Sequence, residues 1–325
     1  MENIFIGIDV SKQTVDLSVY TNEHYQSFQL KNTKITLNAF FKKFNKQSIS
    51  ICMENTGRYN FILYDVLKKF DYDVYVVHPM HIKNSIGFTR GKSDKIDAKR
   101  ICLFIQKNHT ELDKWTPNTK EVEEFKILLS ERNNLIKHIT RLKQQNKSMA
   151  LCSTKRTRAT IKRKKNQIEQ TQKEVKFIEN MLNDIVNSHQ ELKQNLKRIT
   201  SIPGVGKVTA WTLIAKTNGF TRLLNPRKLG CFCGVVPFDQ QSGTSIKTKP
   251  RVSKMADKEL KTVLQMCAMR TVRMQNSSLR KYYLRKVEQG KNKMLVLNNI
   301  RNKIIHLVLA LIKNKSFYKF DLQLS

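Results

Sequence analysis

The first 110 residues contain strand and helix patterns in an order that few folds accommodate. Ile4, Ile6 and Ile8 fall on every second residue, which is the period of a half-buried β-strand. Two more strands are predicted over 14–20 and 25–30. After them come a helix over 35–46, a strand over 48–53, a helix over 61–70, a strand over 73–77 and a helix over 93–106. Alternation of this kind predicts an α/β domain.

Positive charge is concentrated behind this α/β segment. The 325 residues include 60 Lys and Arg against 26 Asp and Glu, a formal net charge of +34. Residues 1–110 hold 16 basic and 10 acidic side chains, a net charge of +6, so the remainder carries +28. Such an excess opposes compaction through self-repulsion, but it favours binding to phosphates, since each neutralised phosphate releases counterions. Nucleic acid is therefore the predicted partner, with an anionic membrane surface as the weaker alternative.

A heptad repeat of apolar residues predicts long helices over 113–199. Ile161, Ile168, Val175 and Leu182 recur at multiples of seven, and a second row offset by three residues includes Ile178. Two such rows form the seam along which helices pack in a coiled coil. An upstream arm is separated from the seam by a basic stretch. The pattern predicts either an antiparallel helical hairpin or a dimerising coiled coil, with a basic tip that contacts nucleic acid.

The sequence indicates three domains: an α/β domain over 1–112, the helical coiled-coil region over 113–199, and a mainly helical domain over 200–325. The last of these opens with the motif IPGVG over 202–206. Its two glycines permit a tight turn with positive φ, and the amides at the start of the next helix are suited to bind a phosphate. The motif indicates a helix-hairpin-helix-like contact to the DNA backbone, with a plain structural turn as the alternative.

Four acidic residues stand at predicted element boundaries. Asp9 ends the first strand, Glu54 ends the fourth, and Asp94 and Asp97 lie three residues apart on one helix face. In an RNase H-like core, whose element order is the one predicted here, the first and fourth strands are neighbours, so Asp9 should lie beside Glu54. Acidic residues also occur at strand ends and helix starts for structural reasons. The prediction depends on all four occurring in this order.

Carboxylates in such a cluster need a counter-charge, because like charges repel and raise each other's pKa. Mg²⁺ (or Mn²⁺) prefers oxygen ligands. Two such ions ~3.5–4 Å apart activate a nucleophile and stabilise the leaving oxygen of a phosphodiester. Asp9, Glu54, Asp94 and Asp97 are therefore predicted to be metal ligands and catalytic residues for cleavage of DNA strands.

A second candidate centre is Ser242, which precedes Gly243 in a polar stretch rich in lysine and arginine. A hydroxyl among cations is suited to attack a phosphodiester, because the cations stabilise charge in the transition state. Ser-Gly is also an ordinary loop dipeptide, so composition alone favours a structural loop. Ser245 is an alternative nucleophile, and the aromatic residues at 282 and 283 are better explained by packing or base stacking.

The six cysteines form no metal-binding pattern. No CxxC pair occurs, and Cys231 and Cys233 are too closely spaced for an ordinary zinc knuckle, so reduced and mostly buried thiols are expected. The amino terminus has no signal-peptide pattern, and no run of 18 apolar residues occurs. These features predict a cytoplasmic protein without a membrane partner.

Several blocks of the sequence resemble the DEDD transposases of bacterial insertion sequences, the IS110 family. They are GIDVSK, MENTGRYN and KSDKIDAKRI, followed by IPGVG, CGVVPFDQQSG, RVSK and NNIRNKIIHLVLALI. The resemblance runs nearly end to end. It implies a RuvC-like amino-terminal domain in which Asp9, Glu54, Asp94 and Asp97 bind Mg²⁺. It also implies that Ser242 is the nucleophile that forms a covalent phosphoserine link to DNA.

The same resemblance implies partners. Family members pair their two domains into composite sites across subunits, so a homo-oligomer, dimer or tetramer, is expected. They also use a structured non-coding RNA that bridges donor and target DNA. The sequence departs from the family where Met255, Ala256 and Asp257 replace the usual Gly-Asn, a change expected to affect nucleic-acid contacts and not the acids.

Two alternatives remain open from the sequence. A RuvC-like junction endonuclease would use water as its nucleophile, and Ser242 would have no chemical role. A non-enzymatic protein that packages RNA or DNA would account for the charge. Such a protein has no use for four clustered carboxylates, so the acids discriminate between the classes.

Overall fold

The computed structural model describes residues 3–44, 48–55, 57–86, 93–242, 246–275 and 277–319, with side chains except at 58, 86, 239–242 and 246–249. The chain divides into two compact units, residues 1–117 and 118–325. Each unit has its own hydrophobic core. The first unit is a mixed α/β structure and the second is mostly helical, as the sequence predicted.

The amino-terminal unit is built on a five-stranded sheet with strand order β3-β2-β1-β4-β5. The strands are β1 (Ile4–Val10), β2 (Thr14–Thr21), β3 (His24–Lys31), β4 (Ile49–Glu54) and β5 (Asp73–Val77). The first three form an antiparallel meander, and β4 and β5 run parallel to β1. The predicted pairing of the first and fourth strands is confirmed, with Ile8 opposite Met53.

Four helices accompany this sheet. They are α1 (Lys34–Lys42), α2 (Phe61–Leu67), α3 (Pro79–Ile86) and α4 (Asp94–Asn108). Ser93 caps the last of these helices, since its hydroxyl accepts a hydrogen bond of 3.3 Å from the Ile96 amide. Pro79 begins α3. Proline suits the first helical turn, where its missing N–H removes no hydrogen bond.

The two faces of the sheet are covered by different helices. Ile6, Ile8 and Ile51 point to the face covered by α1 and α2. Cys52 and Tyr75 point to the opposite face, where they pack with α3 and α4. Side chains alternate between the two faces along a strand. The face on which any other strand residue lies therefore follows from its spacing to these buried residues.

The carboxy-terminal unit begins with two long helices, α5 (Lys120–Leu151) and α6 (Lys155–Ser188). They form an antiparallel hairpin, because Arg132 near the base pairs with Glu179 at 2.8 Å while Asn146 near the tip contacts the Ile161 carbonyl. The hairpin alternative of the sequence analysis is thus the one observed. The sequence suggested that the heptad rows continue to residue 199. They do not, because the helix breaks at His189, which has φ −109° and ψ 109°.

The remaining elements form a helical core with one added strand pair. They are α7 (Gln190–Thr200), α8 (Lys207–Lys216), α9 (Pro226–Phe232), β6 (Phe238–Ser242), β7 (Ile246–Arg251), α10 (Lys258–Thr271), α11 (Ser278–Glu288) and α12 (Lys293–Lys313). By length and apolar composition α12 would be able to cross a membrane. Its buried residues, including Ile300 and Ile304, lie in the core of this unit instead.

The turn between α7 and α8 contains the IPGVG motif, and its two glycines have different roles. Gly204 has φ +87°, and a Cβ there would lie 2.9 Å from the Thr271 amide nitrogen. Gly206 has φ −96° and forms the N-cap of α8. Gly204 provides the positive φ that the predicted tight turn allows, whereas Gly206 starts the next helix.

A candidate carboxylate site and a separate serine

Strand alternation places Asp9 and Glu54 on the face of the sheet covered by α4. Asp9 follows Gly7 by two residues, and Glu54 follows the buried Cys52 by two. The pair Ile8 and Met53 is in register between β1 and β4, and the two acids come one residue later in each strand. The parallel pairing therefore brings the two carboxylates to the same edge of the same face.

Gly7 lets α4 lie directly against β1. A Cβ at this position would be 2.1 Å from the Cys102 amide nitrogen and 2.3 Å from the Ala98 carbonyl oxygen. Helix and strand backbones therefore approach more closely than any other residue permits. The first turn of α4 carries Asp94 and Asp97, so this close approach brings their helix to the Asp9 face.

The predicted acids influence the pKa values of Asp9 and Glu54. Burial, followed by the charges of Asp94, Glu54 and Asp97, raises the pKa of Asp9 from its ordinary 3.8 to about 6. Burial and the charge of Asp97 also raise the pKa of Glu54. One acid from β4 and two from α4 are therefore close enough to act on Asp9. Each charged group that raises the pKa of Asp9 is another carboxylate.

The four acids do not form a finished cage for one ion. Within the described ranges, no group of three or more His, Cys, Asp or Glu side chains is arranged to hold a metal. Asp97 is engaged by Arg100, whose Nη1 lies 2.7 Å from its Oδ1. Magnesium commonly takes only one or two protein carboxylates and completes its shell with water and substrate phosphates. The donor set is chemically suitable for Mg²⁺, because all four side chains offer carboxylate oxygens.

Two buried asparagines tie the acid-bearing segments together. Asn60, which is fully buried, donates a hydrogen bond of 2.7 Å to the Glu54 carbonyl. Asn32 donates to the carbonyls of Ser11 at 3.0 Å and Tyr59 at 3.3 Å. Ser11 is in the turn after Asp9. The two amides thus connect the turns that follow β1 and β4, and we refer to Asn32 and Asn60 as the amide clamp.

Sequence reasoning missed the amide clamp and one further acid. Asp16 lies directly opposite Asp9 in the antiparallel register of β1 and β2. It is buried, and the Gln29 amide donates to it at 3.2 Å. Its charge is the weakest of those that raise the pKa of Asp9. Counting alternate residues along the first two strands from Asp9 would have found Asp16. No sequence signal indicated the contacts of Asn32 and Asn60.

Ser242 is in the other unit, as the last residue of β6. Its backbone pairs with Ile246 of β7. The polar stretch was expected to be a loop, and its strand pairing is a correction. Both strands are rich in polar residues, so no apolar alternation marked them. Ser245 lies outside the described residues.

The departure at 255–257 has a structural explanation. Asp257 caps α10 by accepting a hydrogen bond of 2.8 Å from the Leu260 amide. It also forms an ion pair of 2.8 Å with Lys216 at the end of α8, and Lys216 reaches Glu259 at 3.3 Å. Asp257 thus joins two helices, and the expected effect of this change on nucleic-acid contacts stays a prediction.

The thiols agree with the sequence analysis. All six cysteines are free, and Cys52, Cys102, Cys233 and Cys267 are buried. Burial raises the pKa of Cys102 and of Cys233 to about 12. These thiols are core residues, since a raised pKa opposes the thiolate form that reacts or binds metal.

Comparison with known proteins identifies the class. A family model described as "Transposase", of the DEDD type, matches residues 6–152. A second, "Transposase IS116/IS110/IS902 family", matches residues 196–284. The first match contains all four acids and the second contains Ser242. The protein is therefore a DNA recombination enzyme, a transposase whose substrate is DNA.

Full-length relatives point the same way. The chain is 24% identical to the pilin gene-inverting protein of Moraxella lacunata, over 98% of this chain and 99% of the relative. It is 23% identical to the transposase for insertion sequence element IS1328 of Yersinia enterocolitica, over 82% of this chain and 84% of the relative. Over both matched segments the chain is similar to the IS110 family of transposases.

Proposed function

We propose that this transposase cleaves and joins DNA strands with a metal-binding site on Asp9, Glu54, Asp94 and Asp97 and a nucleophile at Ser242. One observation carries the proposal. Asp9 lies among carboxylates from another strand and from α4, and together with burial they raise its pKa to about 6. A structural acid is more often paired with a cation, as Asp65 is with Lys34 and Lys68.

The fold of the amino-terminal unit supports this chemistry. An antiparallel meander extended by two parallel strands, with acids at the ends of β1 and β4, is the arrangement expected of an RNase H-like, RuvC-like domain. The sheet holds two of the acids on a rigid scaffold, and α4 supplies the other two. Rigid elements suit a site whose groups must keep their separation while DNA binds and leaves.

Mg²⁺ or Mn²⁺, when bound, would supply positive charge at the scissile phosphate and lower the pKa of a coordinated oxygen. Asp9 and Glu54 would hold the ion from the sheet, and Asp94 and Asp97 from the helix. The amide clamp keeps the turns after β1 and β4 in place. Arg100 restrains the Asp97 side chain through their ion pair.

Ser242 would act as the covalent nucleophile. Its hydroxyl oxygen forms a bond to the phosphorus of the scissile phosphodiester, and the bond from phosphorus to one deoxyribose oxygen breaks. The hydroxyl proton passes to a base or to solvent, and the leaving deoxyribose oxygen takes up a proton. The product is a phosphoserine link that a second DNA hydroxyl can later displace, with the reverse movement of protons.

The experiment is a trapping assay with the full-length protein. Junction DNA of the element, with a nick that prevents rejoining, is incubated with Mg²⁺ and RNA copied from the element's flanks, then resolved on a denaturing gel. A covalent protein–DNA band is expected from the wild type and from Ser245→Ala. No band is expected from Ser242→Ala. A band that survives in Ser242→Ala and disappears in Ser245→Ala would transfer the role to Ser245.

A matched pair of acid variants tests the metal site in the same assay. Asp9→Asn is expected to abolish cleavage while DNA binding is retained. Asp65→Asn, an exposed acid of α2 in the same unit, is expected to cleave like the wild type. Full cleavage by Asp9→Asn would refute the metal-site assignment whatever the outcome for Ser242.

A water-dependent, junction-resolving reaction is the second candidate. It is favoured by the separation of the two centres into different compact units, since the acids belong to a unit without the serine. Cleavage that depends on Asp9 but yields no covalent band would establish this candidate. A non-enzymatic packaging role does not agree with the two transposase family models that the chain matches.

Partners follow from charge and from the family resemblance. The remainder of the chain beyond residue 110 carries a net charge of +28, which favours binding to several phosphates at once. We propose that it binds a structured guide RNA in addition to donor and target DNA, and that the protein acts as a dimer or tetramer. Copurifying RNA and the mass of the complex by light scattering test these two assignments.

A further inference from the structure

Charge is segregated along the α5–α6 hairpin. Its outer part, residues 137–165, holds 11 lysines and arginines and no acidic residue, a net charge of +11. The inner parts, residues 120–136 and 166–188, hold 5 basic and 8 acidic residues, a net charge of −3. The buried residues that the hairpin contributes to the helical core all lie in the inner parts. We refer to residues 137–165 as the hairpin tip.

The cations of the hairpin tip are accessible to a ligand. Lys164 donates a hydrogen bond of 3.0 Å to the Gln145 side chain, and the other ten basic side chains are exposed. Within the described ranges none of the 11 forms an ion pair, whereas Arg132 of the inner part pairs with Glu179. Such cations are able to neutralise phosphates, and each neutralised phosphate releases counter-ions from a nucleic acid.

The start of α6 carries charges that oppose its own helix dipole. Its first turn contains Lys155, Arg156 and Arg158 and no acid, whereas the first turn of α5 contains Glu121 and Glu123. Cations are unfavourable at a helix N-terminus, because the backbone amides already place partial positive charge there. The three cations therefore destabilise α6 in the free protein. A bound polyanion would remove that cost, so the arrangement indicates a ligand of negative charge.

The same arrangement of cations occurs twice along α6. Residues 155–158 and residues 162–165 both consist of Lys-Arg, one further residue and a final cation. Seven residues make about two helical turns, so the two sets lie on the same side of α6, about 10.5 Å apart. Lys143 and Lys147 of α5 flank this length of the hairpin, since Asn146 contacts the Ile161 carbonyl. A row of cations with this extent suits a line of phosphates and not one isolated anion.

The composition and width of the hairpin tip favour a duplex over a single strand. The tip contains no Phe, Tyr or Trp, and proteins bind single strands by stacking bases on aromatic side chains. Two packed helices are about 20 Å wide, whereas the major groove of DNA, about 12 Å wide, admits one helix. The tip is therefore suited to the phosphates of a duplex and not to the edges of its bases.

We propose that the hairpin tip binds the phosphate backbone of duplex DNA without reading its base sequence. DNA is the partner because it is the substrate of a transposase. A duplex offers one negative charge per about 1.7 Å of its axis, enough to face both sets of cations on α6. Backbone contacts of this kind fix the position of a duplex and carry no sequence information. The role is separate from the proposed metal site and from Ser242.

The test is fluorescence anisotropy with the full-length protein in EDTA, so that DNA cleavage does not enter. The tip variant removes three exposed cations from one stripe of α6: Lys155→Gln, Arg158→Gln and Lys162→Gln. The control variant removes three exposed cations outside the tip: Lys173→Gln, Lys176→Gln and Lys313→Gln. The probes are a ~30-bp element junction, a scrambled duplex of equal length, the corresponding duplex RNA and one DNA strand.

The tip variant should bind duplex DNA at least about tenfold more weakly than the wild type at about 0.1 M salt. Its salt slope should fall by about 2.7, since each phosphate contact contributes about 0.9. The loss should be equal for junction and scrambled duplexes and smaller for duplex RNA and for the single strand. The control variant should lose less than about threefold. The melting temperature of the tip variant should be unchanged or higher, because two of its lost cations oppose the dipole of α6.

Cys152 allows the contact itself to be measured, since it is an exposed thiol within the hairpin tip. A photoreactive azidophenacyl group is attached to Cys152 in a Cys231→Ser background. Illumination should crosslink the protein to duplex DNA through the tryptic peptide 148–155. No crosslink is expected after the same treatment of a protein that carries both Cys152→Ser and Cys231→Ser.

Equal losses in the tip and control variants would overturn the proposal, as would the absence of a crosslink from Cys152. A larger loss for duplex RNA than for duplex DNA would assign the tip to RNA instead. A loss confined to the junction sequence would show that the tip reads bases, which also contradicts the proposal. Because none of these measurements needs metal or Ser242, they fail or succeed independently of the trapping assay.

Discussion

The Asn60 side chain donates a hydrogen bond of 2.7 Å to the main-chain carbonyl of Glu54. The donor is fully buried, and it belongs to the short 3-10 turn Gly57–Asn60 that follows β4. The contact fixes the turn to the strand end that carries a candidate metal ligand. Loss of Asn60, which is not itself a candidate metal ligand, should therefore change the rate of cleavage.

Replacing Asn60 by alanine should loosen the end of β4. The Glu54 carbonyl loses its donor, which is expected to cost about 1–3 kcal/mol of unfolding free energy. Misplacement of the Glu54 carboxylate should lower the cleavage rate about tenfold or more. Urea denaturation and single-turnover cleavage measure the two effects. Asn38→Ala is the control, since the Asn38 side chain donates to the Lys34 carbonyl within its own helix. Wild-type cleavage by Asn60→Ala would contradict the clamp.

Asp9 should destabilise the protein at neutral pH. Its folded-state pKa of about 6 lies above the ordinary 3.8, so the folded state binds the proton more tightly than the unfolded state does. Its ionisation therefore opposes folding above pH 6, and the opposition disappears as the pH falls towards 4. Without divalent metal, Asp9→Asn should raise the melting temperature by a few degrees at pH 7.5 and leave it unchanged at pH 4.

The control for this measurement has the opposite sign. Hydrogen bonds from Lys34 and Lys68 lower the pKa of Asp65 to about 2. Ionised Asp65 thus favours the folded state above pH 4, and that contribution is lost as the pH falls towards 2. Asp65→Asn should slightly lower the melting temperature at pH 7.5. A lower melting temperature for Asp9→Asn as well would show that the Asp9 carboxylate is stabilised by contacts other than those described.

Gly7→Ala should disrupt the amino-terminal unit. The added Cβ would lie 2.1 Å from the Cys102 amide nitrogen and 2.3 Å from the Ala98 carbonyl, both backbone atoms of α4. Overpacking against backbone should cost about 3 kcal/mol or more, and the displaced helix should remove metal-dependent cleavage. Circular dichroism during thermal melting measures the first effect. Gly206→Ala, where an added Cβ meets no atom within 4 Å, should be nearly neutral, and a stable, active Gly7→Ala would refute the close packing.

Lys216→Met should destabilise the carboxy-terminal unit. Lys216 pairs with Asp257 at 2.8 Å and with Glu259 at 3.3 Å, so its loss leaves two acids without their shared cation. A decrease of about 1–2 kcal/mol in unfolding free energy is expected. Lys207→Met, at the exposed start of the same helix, is the matched control. Equal stability of the two variants in guanidinium titrations would show that the ion pairs contribute nothing.

The amino-terminal sheet was predictable because its apolar residues alternate. Each of the five predicted strands was found. The position of Asp9 beside Glu54 was predictable for the same reason, since strand order and alternation decide which strand residues share a face. The amide clamp was not predictable. It depends on contacts between residues 32, 59 and 60, and neither composition nor period signals a side chain that bonds to a distant carbonyl.

The carboxy-terminal unit shows where local patterns fail. The strand pair β6–β7 has no apolar alternation, so its sequence is indistinguishable from a polar loop. The heptad rows continued in sequence past His189, yet the chain breaks there and Leu192 packs in the helical core. The core of the fold, and not the local repeat, decides the direction of the chain at this point.

The two compact units also have a consequence during protein synthesis. Residues 1–117 close their own core and hold all four acids, whereas Ser242 follows more than a hundred residues later. A nascent chain therefore completes its acidic centre well before the ribosome has made the strand that carries the serine. If both are needed to join DNA, a prematurely terminated chain can occupy a DNA site without finishing the reaction, and such fragments would act as inhibitors of the intact transposase.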